Sequence, residues 1–509
     1  MKGIAALLGL FRKLGNFGSG GFGAGSLLAA LLAVVALLVV GCATVTGRDR
    51  AQARGDEPRF PFPQHAFDRL AVAPMLPTFK TRAEMDGMIV DLFRQILRND
   101  LIVDSGGPRT GDGFRMVFRH FQDEVAHGML DVSHIATSES QGYGMVILAY
   151  MAGSEEMLGL SPGEWIFGST SLRDYFDAML RTVLEFPSSR STHLFAGRLL
   201  GYREPDGENR GGYRVDGAGV RTAPFARDAI TGSATNGDMD IIYALVLADR
   251  QWGSGGRYDY IGIARNMLAD LWRFCVHDEH HVLLLGDWAK TAANPVHGSA
   301  IRTSDFMLGH LKAFRDVDPA HDWQLVIDAS LNAIADIRNA QDKLGNRNGF
   351  LPDFAVRGSG GWEVPRGNIL GSYDNAFAFV AAHVPWRLGT AYLLFGDVPI
   401  GDSGLYRRII RPLDDFARTF THGVYLVGLG PMHMDGTSFE WVDPNWFVPP
   451  LAVTAAAVGA GRPWVDAFWG HIPQHRWDFQ GLGAYLGDTN GDYVRLLVLL
   501  TITGNHWIP

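Results

Sequence analysis

The chain has 509 residues, 47% hydrophobic and 19% charged, which suits a globular protein with a large core. Its formal net charge of −9 argues against a nucleic-acid binder, because phosphate neutralisation needs clustered Lys and Arg. Two cysteines, Cys42 and Cys275, cannot make a disulfide framework.

Lys2, Arg12 and Lys13 give a basic start, followed by a Gly-rich stretch and an unbroken apolar run from Leu27 to Val40. That run is short of the roughly 20 residues a spanning helix needs and suits the core of a signal peptide. It ends in Val39-Val40-Gly41-Cys42, which resembles the bacterial lipobox, where cleavage precedes a cysteine that then carries lipid. The expectation is a signal peptide over 1–41, lipidation of Cys42, and a tether over 42–84 rich in Arg, Asp, Gly and Pro. An uncleaved signal anchor with Cys42 as a bystander is the alternative. Both place the body outside the cytoplasm, held to a membrane of the bacterial envelope.

From about residue 85 helical periodicity recurs. Ile89, Leu92, Phe93, Ile96 and Leu97 share one helix face, as do Met145, Leu148, Ala149 and Ala152, then Ile241, Ala244, Leu245 and Ala248. Ile327, Leu331 and Ile334 mark another helix, and Tyr493–Ile502 a last one. Some stretches, such as Leu496-Leu497-Val498-Leu499-Leu500, are apolar nearly all round and belong to helices buried on every side. An inner ring of helices inside an outer ring supplies that environment. Only Val282–Leu285 suggests a hairpin, and no strict repeat points to a solenoid.

Two helix starts carry acids. In Ser138-Glu139-Ser140-Gln141-Gly142-Tyr143, Ser138 and Gln141 fit a capping box that puts Glu139 in the first turn. Thr235-Asn236-Gly237-Asp238, followed by Asp240, opens a second helix in the same way. Acids there are favoured by the helix dipole alone. If both helices belong to one inner ring, however, the acids share a rim, and clustered carboxylates are what glycoside hydrolysis requires.

Five stretches in order resemble glycoside hydrolase family 8, its endoglucanase, chitosanase and lichenase types included. They are Glu139–Met145, Ala234–Ile241 running on to Trp252-Gly253, Arg302–Met307, Val384–Thr390 and Thr503–Trp507. The resemblance implies an all-α, six-hairpin (α/α)6 barrel over 85–509. It also implies inverting hydrolysis of a β-1,4-linked polysaccharide of the cellulose, chitosan, xylan or mixed-linkage glucan class, with no cofactor. Glu139 matches the general acid, whose pKa must be raised although a helix N-terminus pulls it down. Tyr143, Asn236, Asp238, Trp252, Trp386 and Arg387 fall in the matched motifs and are expected to bind substrate. Asn236 stands where the family has aspartate. The family's base segment, Tyr-Asp/Asn-Ala-Cys-Arg, falls on Phe379-Val380-Ala381-Ala382-His383, and valine cannot take a proton. Asp374 is the expected replacement base, with Glu363 a more distant candidate, and a loop-forming role the alternative for Asp374. A chain that kept the groove but lost hydrolysis, a non-catalytic glycan-binding lipoprotein, is the competing reading.

Trp441, Trp446 and Trp507 join Trp252 and Trp386 as rings that either stack on sugars or fill the core. His277-Asp278-Glu279-His280-His281 matches no zinc spacing and reads as a polar turn, so no metal is expected. Gly201–Gly219 is a polar loop suited to rimming a groove.

Overall fold

The structure, a computed structural model, describes residues 57–108, 113–119, 134–200, 213–225, 232–422, 425–426, 429–439, 444–459, 461–472 and 489–509. Chain contacts divide it into Met1–Glu57 and Pro58–Pro509, and the described helices and strands belong to the second unit. The expected signal peptide, Cys42, Trp441 and residues 201–212 of the polar loop lie outside the described residues.

Helices dominate. In chain order they are α1 (Arg82–Asn99), α2 (Ser138–Met151), α3 (Glu155–Leu158), α4 (Leu172–Glu185), α5 (Thr235–Trp252), α6 (Tyr260–Cys275), α7 (Leu308–Val317) and α8 (Trp323–Lys343). There follow α9 (Val384–Phe395), α10 (Arg411–Ala417), α11 (Pro444–Val458), α12 (Arg462–His471) and α13 (Thr489–Ile502). Members of the series differ in burial. Helices α2 and α5 are buried on nearly every side, and α9 is too. Helices α4, α6 and α8 bury one apolar stripe each. Neighbour contacts run α2 to α5, α5 to α7, α7 to α9, α9 to α11, α11 to α13, and α13 back to α2. The one-sided helices lie against this succession: α4 on α2, α6 on α5, α8 on α7, α10 and α12 on α11, α1 on α13.

Helices α2 and α5 approach most closely, and glycine permits it. A Cβ on Gly142 would stand 2.6 Å from that of Asp240, and one on Gly237 would overlap Ser138. The sequence cue of Gly-x-Gly and Asn-Gly-Asp is thus a packing requirement.

Short strands add to the helices where the sequence suggested only a hairpin at Val282–Leu285, a place that holds one antiparallel bridge, Val276 opposite Leu283. A four-stranded sheet has the order β2 (Met116–Phe118), β1 (Leu101–Asp104), β6 (Arg221–Ala223), β5 (Arg214–Val215). In it β1 pairs antiparallel with β2 (Ile102 opposite Val117) and parallel with β6. β3 (His134–Thr137) pairs with β4 (Arg198–Leu200) just before α2. β7 (Ala300–Arg302), β8 (Phe354–Gly358) and β9 (Gly361–Glu363) form an antiparallel trio. These pieces were illegible because two to five residues carry too little period-2 signal.

The folded unit starts at Pro58, so the expected tether boundary at 84 is corrected. Residues 58–81 form a strap across helix C-termini. Its backbone N–H groups donate to carbonyls in the last turns or caps of α5 (Arg59 to Gln251, 3.0 Å), α2 (Phe62 to Ala152, 2.8 Å) and α13 (Ala66 to Gly504, 2.7 Å). They do the same at α9 (Val72 to Leu393, 3.1 Å) and α11 (Met75 to Ala456, 2.9 Å). Helix C-termini expose unsatisfied carbonyls, and the strap supplies the donors. Phe62 is buried, and Phe60 stacks on Trp507 with centroids 4.6 Å apart.

Candidate active site

With the C-termini occupied by the strap, the N-terminal ends of the same buried helices hold the polar groups. The start of α2 is fixed by Thr137, whose hydroxyl accepts from the Ser140 N–H (3.2 Å) while the Ser140 hydroxyl accepts from the Thr137 N–H (3.1 Å). The cap therefore sits one residue before the expected Ser138, and is worth about 1 kcal/mol. Gln141, expected in the box, instead donates to the carbonyls of Met116 (3.3 Å) and Met179 (3.0 Å). At α5 the N-cap is Ala234 with no side-chain cap, and Thr235 donates to the Leu284 carbonyl (2.5 Å).

Glu139 in the first turn of α2 has 18% of its side chain exposed. Its Oε1 accepts from the Tyr143 hydroxyl (3.0 Å) and from Asn236 Nδ2 (2.9 Å). Asn236 Oδ1 in turn accepts from Arg302 (3.2 Å), at the end of β7, and Arg302 pairs with Asp305 (3.4 Å). His383 Nδ1 lies 3.3 Å from the Tyr143 hydroxyl and 3.9 Å from Glu139 Oε1. Burial lifts the Glu139 pKa above the ordinary carboxylate value, against the downward pull of the Tyr143 hydrogen bond and the Arg302 and Arg387 charges. Burial outweighs these side-chain effects. Asp305, buried and close enough to feel Glu139, is pushed up to about 6, again by burial first.

Beneath this lies a buried ion pair. Arg387 of α9 grips Asp240 of α5 through two bonds (2.9 and 2.5 Å), and His310 Nε2 adds a third contact to Asp240 (2.8 Å). Burial works to raise Asp240, but Arg387 and His310 outweigh it and hold the carboxyl below its usual range. Arg387 also lies 3.9 Å from the centroid of the Trp386 ring.

Several sequence expectations change. Asp374 is only 4% exposed, and its Oδ2 accepts from three successive backbone N–H groups, Ile369 (2.5 Å), Leu370 (2.7 Å) and Gly371 (2.8 Å). An oxygen so engaged organises a turn, so the expected base becomes a loop-forming aspartate. Glu363 sits on β9, which packs on α8. Asp238 is fully buried and holds the Phe195 N–H (3.1 Å), a structural position. Trp252 ends α5 at the strap side and packs against Phe176 and Tyr260, a core residue. Trp386 and Arg387 are buried beneath the polar cluster and support it without lining a surface. Trp507 is core. Trp446, at the start of α11, is half-buried with its ring 4.8 Å from that of His383 and donates to the Phe379 carbonyl (2.6 Å). Among the described tryptophans of the set, it is the one whose side chain is half-buried. His277 turns back on the amides of Glu279 and His280, a polar turn, and no metal-binding group occurs among the described residues.

Sequence reasoning overlooked Arg302 and His383. Arg302 lay inside a matched stretch, and His383 fell where the family resemblance put arginine, so a substitution in an otherwise matched block was the available signal.

The profile of Glycosyl hydrolases family 8 matches residues 220–367. A β-glucanase of Niallia circulans is 25% identical over 375 residues, 73% of this chain and 77% of the relative. An endoglucanase of Bacillus sp. strain KSM-330 is 26% identical over 420 residues, 82% and 75% of the two chains. Among solved structures, the apo β-1,3-1,4-glucanase of Paenibacillus sp. X4 superposes with a TM-score of 0.69 at 23% identity, covering 89% of this chain and all of that one.

Proposed function

We propose that this chain, a member of glycoside hydrolase family 8, cleaves the O-glycosyl bonds of a β-1,4-linked polysaccharide with Glu139 as proton donor. One observation carries the reading. A carboxyl at the convergence of buried helix N-termini is partly exposed, raised by burial, and oriented by Tyr143 and Asn236. A general acid must hold its proton at working pH and release it to a leaving oxygen. The succession of buried helices that returns α13 to α2 supports the six-hairpin (α/α)6 toroid. The names of the relatives favour a glucan.

The test is reducing-end release from cellulose, chitosan, xylan and mixed-linkage glucan, beside Glu139→Gln. Turnover abolished by that change supports the acid, and proton NMR of the first anomer formed reads the inverting course. Polymer binding without release would make the chain a glycan-binding descendant. Membrane attachment through lipidated Cys42 belongs to the same proposal, motivated by Val39-Val40-Gly41-Cys42. Its test is radiolabelled fatty-acid incorporation, which Cys42→Ser should abolish. No helix among the described residues is long and apolar enough to cross a membrane.

A further inference from the structure

The surroundings of Glu139 Oε1 restrict where protons sit. Asn236 cannot be turned over, because its Oδ1 faces a guanidinium that can only donate. Its Nδ2 therefore donates to Oε1. The Tyr143 hydroxyl has one proton, and Oε1 is its acceptor at 3.0 Å. With two donors on Oε1, the transferable proton of Glu139 resides on Oε2. The tyrosine oxygen then has lone pairs to offer His383 Nδ1 at 3.3 Å. His383 is 1% exposed, between Trp386 and Trp446, and its Nε2 has no hydrogen-bond partner. A second N–H there would be buried without an acceptor, which costs far more than an idle lone pair.

We propose that His383, uncharged and protonated on Nδ1, is a positioning residue that fixes the Tyr143 hydroxyl on Glu139 Oε1 and leaves Oε2 to deliver the proton. This rests on Glu139 being the acid. The charged groups facing the cluster are Asp240 of α5 with Arg387 of α9, and Arg302 with Asp305 after β7, each pair bonded internally. Burial, with Arg387 second, holds the imidazole pKa down to about 3, in keeping with neutrality. A neutral donor steers the tyrosine without adding a cation that would strip the acid of its proton.

The experiment is the pH profile of kcat and kcat/KM on the polymer that Glu139→Gln fails to cleave. His383→Ala should lower kcat about tenfold, the value of one hydrogen bond, with KM unchanged. His383→Asn, whose amide N–H reaches the Nδ1 position, should restore most of it. His383→Arg should move the alkaline limb down by about one unit or more. In Tyr143→Phe, His383→Ala should cost nothing further. Losses that multiply in the double variant, no rescue by asparagine, or an unmoved alkaline limb in His383→Arg would each overturn the assignment. Turnover surviving in Glu139→Gln would instead overturn the acid itself.

Discussion

Replacing Asp240 by asparagine tests the polar cluster at two levels. The guanidinium of Arg387, 6% exposed, would keep at most one of its two bonds, to the amide oxygen, and would lose the negative charge that compensates it. Breaking a buried pair by removing one partner costs about 3–5 kcal/mol, because the survivor stays desolvated and uncompensated. Unfolding entropy of about 2.1 cal/mol/K per residue, over the roughly 450 residues from Pro58, makes each degree of Tm worth about 1 kcal/mol. The expected fall in Tm is about 3–5 °C by calorimetry. Asp240 also raises the Glu139 pKa while Arg387 lowers it. Its removal leaves the cation acting alone, so Glu139 gives up its proton at lower pH. The alkaline limb of kcat/KM should therefore move down. Adding Arg387→Met should recover part of the lost Tm and return the limb upward. A Tm loss under one degree, with an unmoved limb, would refute the view that this pair both supports the site and tunes the acid.

Gly237→Ala should push α5 off α2 at Ser138, destabilising by about 1–3 kcal/mol and lowering kcat. Wild-type Tm and turnover in that variant would show that the close approach is dispensable. Asp374→Asn, whose amide oxygen still accepts backbone N–H groups, should keep kcat within about tenfold. A folded variant slowed by about a thousandfold would restore Asp374 as the base. Burial holds the Asp353 proton to about pH 7, against 3.8 ordinarily. The stabilisation is full below the unfolded value and is lost as pH rises through the folded one. Asp353→Asn should flatten the decline of the urea midpoint between those values, and an unchanged slope would count against it. A chain begun at Arg82 should melt below one begun at Ala43, since the strap's donors are gone, and equal Tm values would remove the strap from the stability account.

Sequence alone determined that some helices, α13 with Leu496–Leu500 among them, are buried all round, because apolar periodicity reports how many sides of a helix meet protein. It also placed Glu139 and Asn236 in first helical turns, where local spacing suffices. Only tertiary structure decided which groups those turns face. Asp238 and Asp240 are two residues apart on one helix, yet one holds a backbone N–H and the other a guanidinium 147 residues away. Asp374 looked available because a loop aspartate reads alike whether its oxygens meet water or three amides. Residues 58–81 read as tether because their bonds are to distant carbonyls, which composition does not record. His383 became part of the site only once α2, α9 and α11 converged, since hydrogen bonding depends on distance and no local pattern encodes a neighbour 240 residues away.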